Sequence, residues 1–354
     1  MSHATRRTVN GLAWPQASVL AIAALALGAT LYRYIRAVVG TPDLFYDVRE
    51  VWQPAATAVL DGQALYVGAA TDNKPPLFEY LNVLVGSTGH YLLVFYLLVG
   101  LANAVIVVCL YHWLAREGHV IAGVLAALLF ATVLPLVQGT IINVRSFALV
   151  FLFCALLTQG AVRRGGLLAV AGLFSQFAMF AAPVLAYEGV RRSDGSPRRW
   201  VARFATAGFV TATLAYLPLY LIWGPQSLVN GVQMSIVSAG HYTFESGAAA
   251  NPWTETGAWV REFSFDAIRL LHILVPGTVM LVLSLRRGLR TDVAGLASLL
   301  ALSFVLTFGV KVIDYYWLFP LAFLTPLAAL LAVCAVRATD ESDNGLVAAD
   351  GGDG

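Results

Sequence analysis

The stretch Asp72-Asn73-Lys74-Pro75-Pro76 closes a polar loop between two apolar segments, and the fold is arranged around it. Proline lacks an amide hydrogen and disfavours helix in the residue before it, so the chain should be extended up to the second proline. That proline suits the start of a helix, which we predict over 77–86. Free amides at its first turn and the lysine ammonium would form an anion site suited to a phosphate, with the aspartate beside it. The alternative is a turn whose lysine contacts lipid headgroups.

The composition is that of a membrane protein. Of the 354 residues, 59% are hydrophobic and 12% are charged, and the mean hydropathy is +0.74, whereas soluble domains carry about 25% charged residues. Several apolar runs reach the roughly 20 residues that cross a bilayer as a helix. We therefore predict an all-α fold, a polytopic transmembrane bundle whose long first outer loop carries interfacial helices. The three cysteines lie in apolar runs and indicate neither a disulfide nor a metal site.

Arginines gather in a few short loops, which the positive-inside rule places in the cytoplasm. Together with the apolar runs this predicts about eight full spans and one short helix pair, with both termini cytoplasmic. The pair covers 165–188 and should bend near Ser175-Gln176 and Pro183, because arginine loops flank both of its ends. In the first outer loop, Pro54 should divide an apolar stripe into two short surface helices, the second of which stops at Gly62.

These features define the predicted domains. Residues 1–336 should form one membrane-embedded domain, with outer loops over 40–89 and 224–262. Residues 337–354 are predicted to be an acidic disordered cytoplasmic tail, because the charged residues after Arg337 are all acids and several glycines accompany them.

Candidate functional residues gather at the predicted outer face. Asp43 and Asp47 open the first outer loop, and Asp72 closes it. Such acids could bind a divalent cation, Mg²⁺ or Mn²⁺, or serve as a general base. They could also be ordinary loop acids, with Asp47 capping a short helix.

Further ionisable residues lie at the same face. Arg145 interrupts an apolar sequence, where it could pair with a loop acid or a phosphate, or reach lipid headgroups. Three more residues lie between the last two spans: Lys311, Asp314 and Tyr315. A belt of aromatic residues at the membrane interface accounts for the tyrosine but not for the lysine and the aspartate. The sequence contains neither a Gly-x-x-x-x-Gly-Lys loop nor a Gly-x-Ser-x-Gly motif, so an enzyme that consumes nucleotides is disfavoured.

In their order along the chain, these features resemble the membrane glycosyltransferases of the C superfamily, which use polyprenyl-phosphate sugars as donors. The group includes protein O-mannosyltransferases, aminoarabinose transferases of lipid A and archaeal dolichyl-phosphate-mannose mannosyltransferases. The family pattern is an acid, an Ala-rich helix ending in Gly, a Leu-Tyr pair, then acid-x-Lys-Pro-Pro-Leu. Here that pattern reads Asp47, Ala55-Ala56, Gly62, Leu65-Tyr66 and Asp72-Asn73-Lys74-Pro75-Pro76-Leu77. The chain departs from the family at Gln176, where many members have lysine, and in 314–320, which lacks the family's histidine.

The resemblance implies an inverting glycosyltransferase at the outer face of the plasma membrane. It would move a sugar, mannose by closest resemblance, from dolichyl or polyprenyl phosphate to a glycan or protein acceptor, with membrane lipid but no nucleic acid as a partner. Asp47 would be the base toward the acceptor hydroxyl, Asp72 would support it or help to hold a metal, and Lys74 would hold the donor phosphate. Two more cations should lie near that phosphate: Arg145 and Lys311. Three more residues should support the site or contact the acceptor: Asp43, Asp314 and Tyr315.

The alternative function is a transporter or flippase of a lipid-linked glycan. A flippase should carry ionisable groups along a path through the middle of the membrane. This sequence gathers them at one face instead, which favours the enzyme.

Overall fold

The computed structural model describes residues 8–9, 12–39, 46–137, 144–193, 195–237, 292–308 and 317–350. A two-residue hairpin, Thr8–Val9 (β1) paired antiparallel with Leu12–Ala13 (β2), precedes a bundle of helices. In chain order the described helices are α1 (Trp14–Val39), α2 (Gln53–Leu60), α3 (Pro76–Gly86), α4 (Tyr91–Arg116), α5 (Val120–Val137), α6 (Arg145–Leu157), α7 (Ala161–Phe174), α8 (Ala182–Arg191), α9 (Pro197–Trp223), α10 (Pro225–Val232), α11 (Asp292–Phe308) and α12 (Leu318–Asp350). Short segments of other helix types cover Tyr46–Trp52, Gly68–Ala70, Gln176–Ala181 and Gln233–Val237.

The helices confirm an all-α membrane bundle. Within the described ranges, four are long and apolar enough to cross a bilayer: α1, α4, α9 and the Leu318–Ala338 part of α12. Helices α5, α6 and α11 are apolar but shorter. The predicted span over 265–285 lies outside the described residues.

Helix α4 is at the centre of the bundle and packs against α1, α5 and α6. Its Trp113 is fully buried and meets the rings of Phe153 and Phe323 edge-on, with centroids 6.2 and 6.3 Å away. A short polar chain crosses the apolar core: Ser146 Oγ donates to Asn103 Oδ1 (2.8 Å), and Asn103 Nδ2 donates to Thr30 Oγ1 (3.2 Å). Polar contacts of this kind fix the register of helices in a membrane, where apolar contact alone gives little direction.

The predicted break in the short helix pair is confirmed. Helix α7 ends where Ser175 adopts an extended conformation, and a short 3₁₀ helix then leads into α8. Arg164 near the start of α7 forms an ion pair with Glu188 near the end of α8, so both ends of the pair lie at one end of the bundle. Arg192 joins the same cluster, 2.6 Å from Glu188 and 3.1 Å from Glu117, which follows α4.

Two predictions about the polar segments have different outcomes. In the first loop, α2 ends at Leu60, and Gly62 adopts a left-handed φ of +93°, which confirms the predicted helix stop. The tail was predicted to be disordered from residue 337, but α12 continues through Asp350. This segment is helical because its alanine, leucine and glutamate residues favour helix, and because the preceding span already supplies the nucleus from which the helix extends.

Helices α7 and α9 approach each other closely at Gly165. A Cβ placed there would overlap the backbone carbonyl of Phe204, whereas a Cβ on the neighbouring Gly166 would meet only Thr211 Oγ1, at 3.4 Å. We expect Gly165→Ala to lower the free energy of unfolding by about 1–3 kcal/mol, because the overlap forces two helix backbones apart. Gly166→Ala, the matched control, should be neutral or slightly stabilising, since alanine favours helix. Thermal unfolding in detergent measures both, and equal melting temperatures would contradict the close approach.

Candidate functional site

The first polar loop is anchored to the bundle by Trp52. This side chain is fully buried; it packs edge-on against Phe78 of α3, with ring centroids 5.1 Å apart, and in a tilted arrangement against Phe95 of α4, with centroids 5.5 Å apart. Its carbonyl oxygen accepts a hydrogen bond from Asn82 Nδ2 (2.8 Å), and Asn82 Oδ1 accepts one from the Tyr91 hydroxyl. The turn that carries Asp47 is thereby fixed against α3, at the end of α4 opposite the Arg164–Glu188 cluster.

The Leu65-Tyr66 pair positions the lysine-proline segment. Tyr66 has a φ of +64°, which is rare for a residue with a side chain, and its hydroxyl donates to the carbonyl oxygen of Lys74 (2.7 Å). The carbonyl oxygens of Leu65 and Tyr66 accept hydrogen bonds from Ser227 (2.5 Å) and Asn230 (2.9 Å) on α10. Sequence reasoning identified this pair only as part of a family pattern and missed its role as the support of Lys74.

Lys74 lies where the sequence predicted, directly before an extended Pro75 and the start of α3 at Pro76. Its ammonium donates to Asn73 Oδ1 (2.5 Å), is 3.8 Å from Asp72 Oδ1 and lies 5.6 Å from the Trp52 ring centroid. The amides contribute less than predicted, because those of Phe78 and Glu79 already donate to the Pro75 carbonyl oxygen. The positive charge here therefore comes mainly from the lysine.

Four of the predicted site residues interact electrostatically. Burial raises the pKa of Asp47; the positive charges of Lys74 and Arg145 oppose this shift, and the negative charge of Asp72 adds to it. Asp72 is 8% exposed, and its Oδ1 accepts the Asn73 amide hydrogen (2.6 Å). Arg145 is 4% exposed, with its guanidinium 5.5 Å from the Phe177 ring centroid. An arginine that contacts lipid headgroups would be exposed at the membrane surface. Because Arg145 is buried, the alternative that it contacts lipid headgroups is disfavoured.

Glu79 is a member of the site that sequence reasoning missed. It lies in the first turn of α3 and is 1% exposed. Burial raises its pKa well above the ordinary range, and Asp72 adds to the shift, while Lys74 and Asn82 oppose it. The available signal was the spacing of Glu79 and Asn82, three residues apart on a helix and therefore on the same side of it.

The remaining predicted residues are not all within the described part of the chain. Asp43, Lys311, Asp314 and Tyr315 lie outside it, so their places in the site stay predictions. Gln176, which replaces a lysine common in the resembled family, does reach the site: its Nε2 is 3.5 Å from the Asn73 carbonyl oxygen.

The predicted divalent metal was assigned to Asp47 and Asp72. In the ranges that the structure describes, no group of three or more His, Cys, Asp or Glu side chains is arranged to hold a metal ion. Mg²⁺ prefers six oxygen ligands, and an ammonium already lies beside Asp72. The described residues therefore do not make up a metal site by themselves, and Mg²⁺ or Mn²⁺ stays a prediction.

Comparison with known proteins adds a likeness of fold. No family model matches the sequence, and no curated protein matches it. Among solved structures, the chain is similar to the crystal structure of the Archaeoglobus fulgidus oligosaccharyltransferase in the apo form, with a TM-score of 0.54 and 13% sequence identity. The match covers 94% of this chain and 52% of that one, so this chain spans about half the length of the oligosaccharyltransferase. The two chains share a helical membrane fold over most of this chain.

The Tyr66 hydroxyl offers a test of how the loop is supported. We expect Tyr66→Phe to lower the free energy of unfolding by about 0.5–1.5 kcal/mol, because the half-buried carbonyl of Lys74 loses a hydrogen-bond donor. Tyr187→Phe, at an exposed position, should change it by less than about 0.5 kcal/mol. Thermal unfolding of both variants in detergent is the measurement, and indistinguishable melting temperatures would argue against the Tyr66–Lys74 bond.

Proposed function

We propose that this protein is a membrane glycosyltransferase that moves a sugar from a polyprenyl phosphate to a glycan or protein acceptor. The observation that carries the proposal is the cluster of Lys74, Asp72 and Asp47 at one end of a membrane bundle. The fold shared with an oligosaccharyltransferase supports the same reaction class. A site at the end of a membrane bundle also suits a substrate whose lipid chain stays in the bilayer while its headgroup reaches polar side chains.

Lys74 is the proposed contact of the donor phosphate. When the sugar leaves, negative charge develops on the bridging phosphate oxygen, and a fixed cation beside it stabilises the transition state more than the ground state. The Tyr66 hydroxyl and the prolines fix the lysine backbone, so little reorganisation is needed. Arg145 adds a second positive charge to the same cluster.

Asp47 is the proposed base toward the acceptor. Its carboxylate takes the proton of the acceptor hydroxyl as the acceptor oxygen bonds to the anomeric carbon, and the bond from that carbon to the phosphate oxygen breaks. Attack from the face opposite the phosphate inverts the anomeric centre. The raised pKa of Asp47 makes it a better proton acceptor than an ordinary aspartate, and the negative charge of Asp72 contributes to that rise.

The finer features of the proposal come from the resemblance of the loop to the C-superfamily pattern. They are mannose as the sugar, dolichyl or polyprenyl phosphate as the carrier, and the outer face of the plasma membrane as the location, with both termini in the cytoplasm. The lipid-linked sugars that accumulate when the gene is deleted would identify the donor. Transfer by the purified protein in liposomes, from a synthetic polyprenyl-phosphate mannose added on one side, separates the enzyme from a flippase, which would move the lipid without consuming it.

The base assignment can be tested with two matched substitutions in one loop. Asp47→Asn should lower the rate of transfer about 10²–10⁴-fold, the usual contribution of a general base. Asp61→Asn should change it little, because Asp61 is an exposed residue at the end of α2. In the wild type, activity should rise with pH through a pKa above the ordinary aspartate range, since only the carboxylate accepts a proton. Transfer that survives Asp47→Asn within a few fold would refute the assignment.

The phosphate contact can be tested with two substitutions of Lys74, one that removes its positive charge and one that keeps the charge but changes the shape of the side chain. Lys74→Ala should raise the KM for the polyprenyl-phosphate sugar far more than Lys74→Arg, because the phosphate requires a cation, although arginine does not reproduce the lysine geometry. Both variants should keep the wild-type KM for the acceptor. Equal donor KM values in all three proteins would reduce Lys74 to a contact with lipid headgroups.

A further inference from the structure

A groove lies beside the Arg164–Glu188 pair, at the end of the bundle opposite Lys74. It has a volume of about 640 Å³ and is lined by residues 157–163, which connect α6 to α7, and by Arg203 of α9. Pockets that hold small ligands have volumes of about 300–1,000 Å³. The groove is therefore large enough for the headgroup of a phospholipid.

Two positive charges from different helices meet in this groove. Arg163 belongs to α7 and Arg203 to α9. The two helices touch at Gly165, where a Cβ would overlap the carbonyl group of Phe204, the residue after Arg203. Neither arginine has a hydrogen bond or an ion pair within the part of the chain that the structure describes. Two like charges that the backbone holds in one groove repel each other, and a bound anion would remove that repulsion.

The neighbouring acceptor groups do not neutralise the groove. Glu117 and Glu188 are each paired with arginines of the adjoining cluster. The carbonyl oxygens of Leu157 and Thr158, two of the residues that line the groove, accept hydrogen bonds from arginines at the same end of the bundle. These acceptors are therefore already engaged, and the positive charge of Arg163 and Arg203 is left for a ligand.

An exposed apolar stripe leads away from Arg203 along α9. Four later residues lie on the same face of the helix, at the spacing of successive turns: Val210, Leu214, Leu217 and Leu221. Their exposed fractions lie between 42% and 68%, and α9 is long and apolar enough to cross a bilayer. A ligand that fits both the groove and the stripe has an anionic group at one end and a hydrocarbon chain behind it.

We propose that the groove binds the headgroup of an anionic phospholipid, with the phosphate between Arg163 and Arg203 and an acyl chain along the exposed stripe of α9. Guanidinium groups suit this role because they donate paired hydrogen bonds to phosphate oxygens. Basic pockets between transmembrane helices commonly bind phospholipid headgroups. The site is separate from the contact proposed for the donor phosphate at Lys74, and it does not depend on the proposed function.

Lipid binding to the purified protein in detergent tests the two arginines. Phosphatidylglycerol should raise the melting temperature of the wild type by roughly 2–5 °C at a concentration about ten times its Kd. Arg163→Gln combined with Arg203→Gln should weaken that binding roughly 10-fold or more, because the phosphate loses its charge-assisted hydrogen bonds.

The matched control for this double variant is Arg198→Gln combined with Arg199→Gln. It also removes two exposed arginines near the start of α9, but neither of them lines the groove. The control should bind phosphatidylglycerol as the wild type does. Equal weakening in both double variants would indicate a diffuse attraction to surface charge and would overturn the site.

Two further additives identify the source of the phosphate group. Phosphatidylcholine with the same acyl chains has no net charge and should stabilise the wild type much less than phosphatidylglycerol does. Inorganic phosphate has no hydrocarbon chain and should have little effect at the same concentration. Equal stabilisation by phosphatidylcholine would argue against an anion site, and equal stabilisation by inorganic phosphate would indicate a site for a free anion. Either result would overturn the proposal.

A substitution that fills the groove tests it without changing any charge. Gly160 lines the groove, has an ordinary φ of −74° and has open space beyond its Cα, so a larger side chain can be added there. Gly160→Phe should weaken phosphatidylglycerol binding roughly 10-fold, because the ring takes the place of the headgroup. Gly195→Phe, at another open glycine that does not line the groove, should leave binding unchanged. Wild-type affinity in Gly160→Phe would contradict a headgroup bound in this groove.

Discussion

The hydrogen bond from Asn82 to the Trp52 carbonyl, together with the buried Trp52 ring, is the constraint on which the candidate site depends. It joins the turn that carries Asp47 to the helix that follows Lys74, although these segments are separated by a long polar loop. Because Tyr91 donates to the same asparagine, the start of α4 is tied into the arrangement. Loss of this contact would leave charges of both signs without a fixed geometry, even if every charged residue stayed in place.

Charge balance explains why the site can be buried. Asp47 and Asp72 are negative, Lys74 and Arg145 are positive, and all four interact within a partly buried cluster. The charges of these four residues cancel, and the phosphate diester of the proposed donor would bring an extra negative charge that the transfer reaction then moves to the leaving oxygen. Deep burial of acids beside cations is typical of sites where the charge of a ligand completes the balance.

The features that sequence analysis located correctly are those fixed by local chain chemistry. Pro75 and Pro76 determine where α3 begins, Gly62 permits the left-handed turn after α2, and the break after Phe174 lies where the arginine loops required one. The contributions of Tyr66 and Glu79 were not predicted, because each depends on partners that are distant along the chain or on the degree of burial. The chain pattern shows that Tyr66 follows Leu65, but not that its hydroxyl reaches Lys74. Likewise, the helical tail through Asp350 follows from continuation of a span, which composition alone does not reveal.

Both ends of the bundle contain buried charged residues, but these residues are hydrogen-bonded and paired to different extents at the two ends. At one end, Glu188 is paired with both Arg164 and Arg192, and Arg164 also donates to the carbonyl oxygen of Thr158 (2.8 Å). That cluster satisfies its own members and holds α7, α8 and the end of α4 together, which is sufficient reason for its presence. At the other end, Asp72 Oδ2 and both carboxyl oxygens of Glu79 have no hydrogen-bond donor among the described residues. Lys74 is held there by its backbone at the start of a helix, and its ammonium contacts Asn73, Asp72 and the Trp52 ring. Polar groups that a fold buries without satisfying them are destabilising, so their retention is better explained by chemistry than by folding. This contrast is the physical argument for locating the function at the Lys74 end of the bundle.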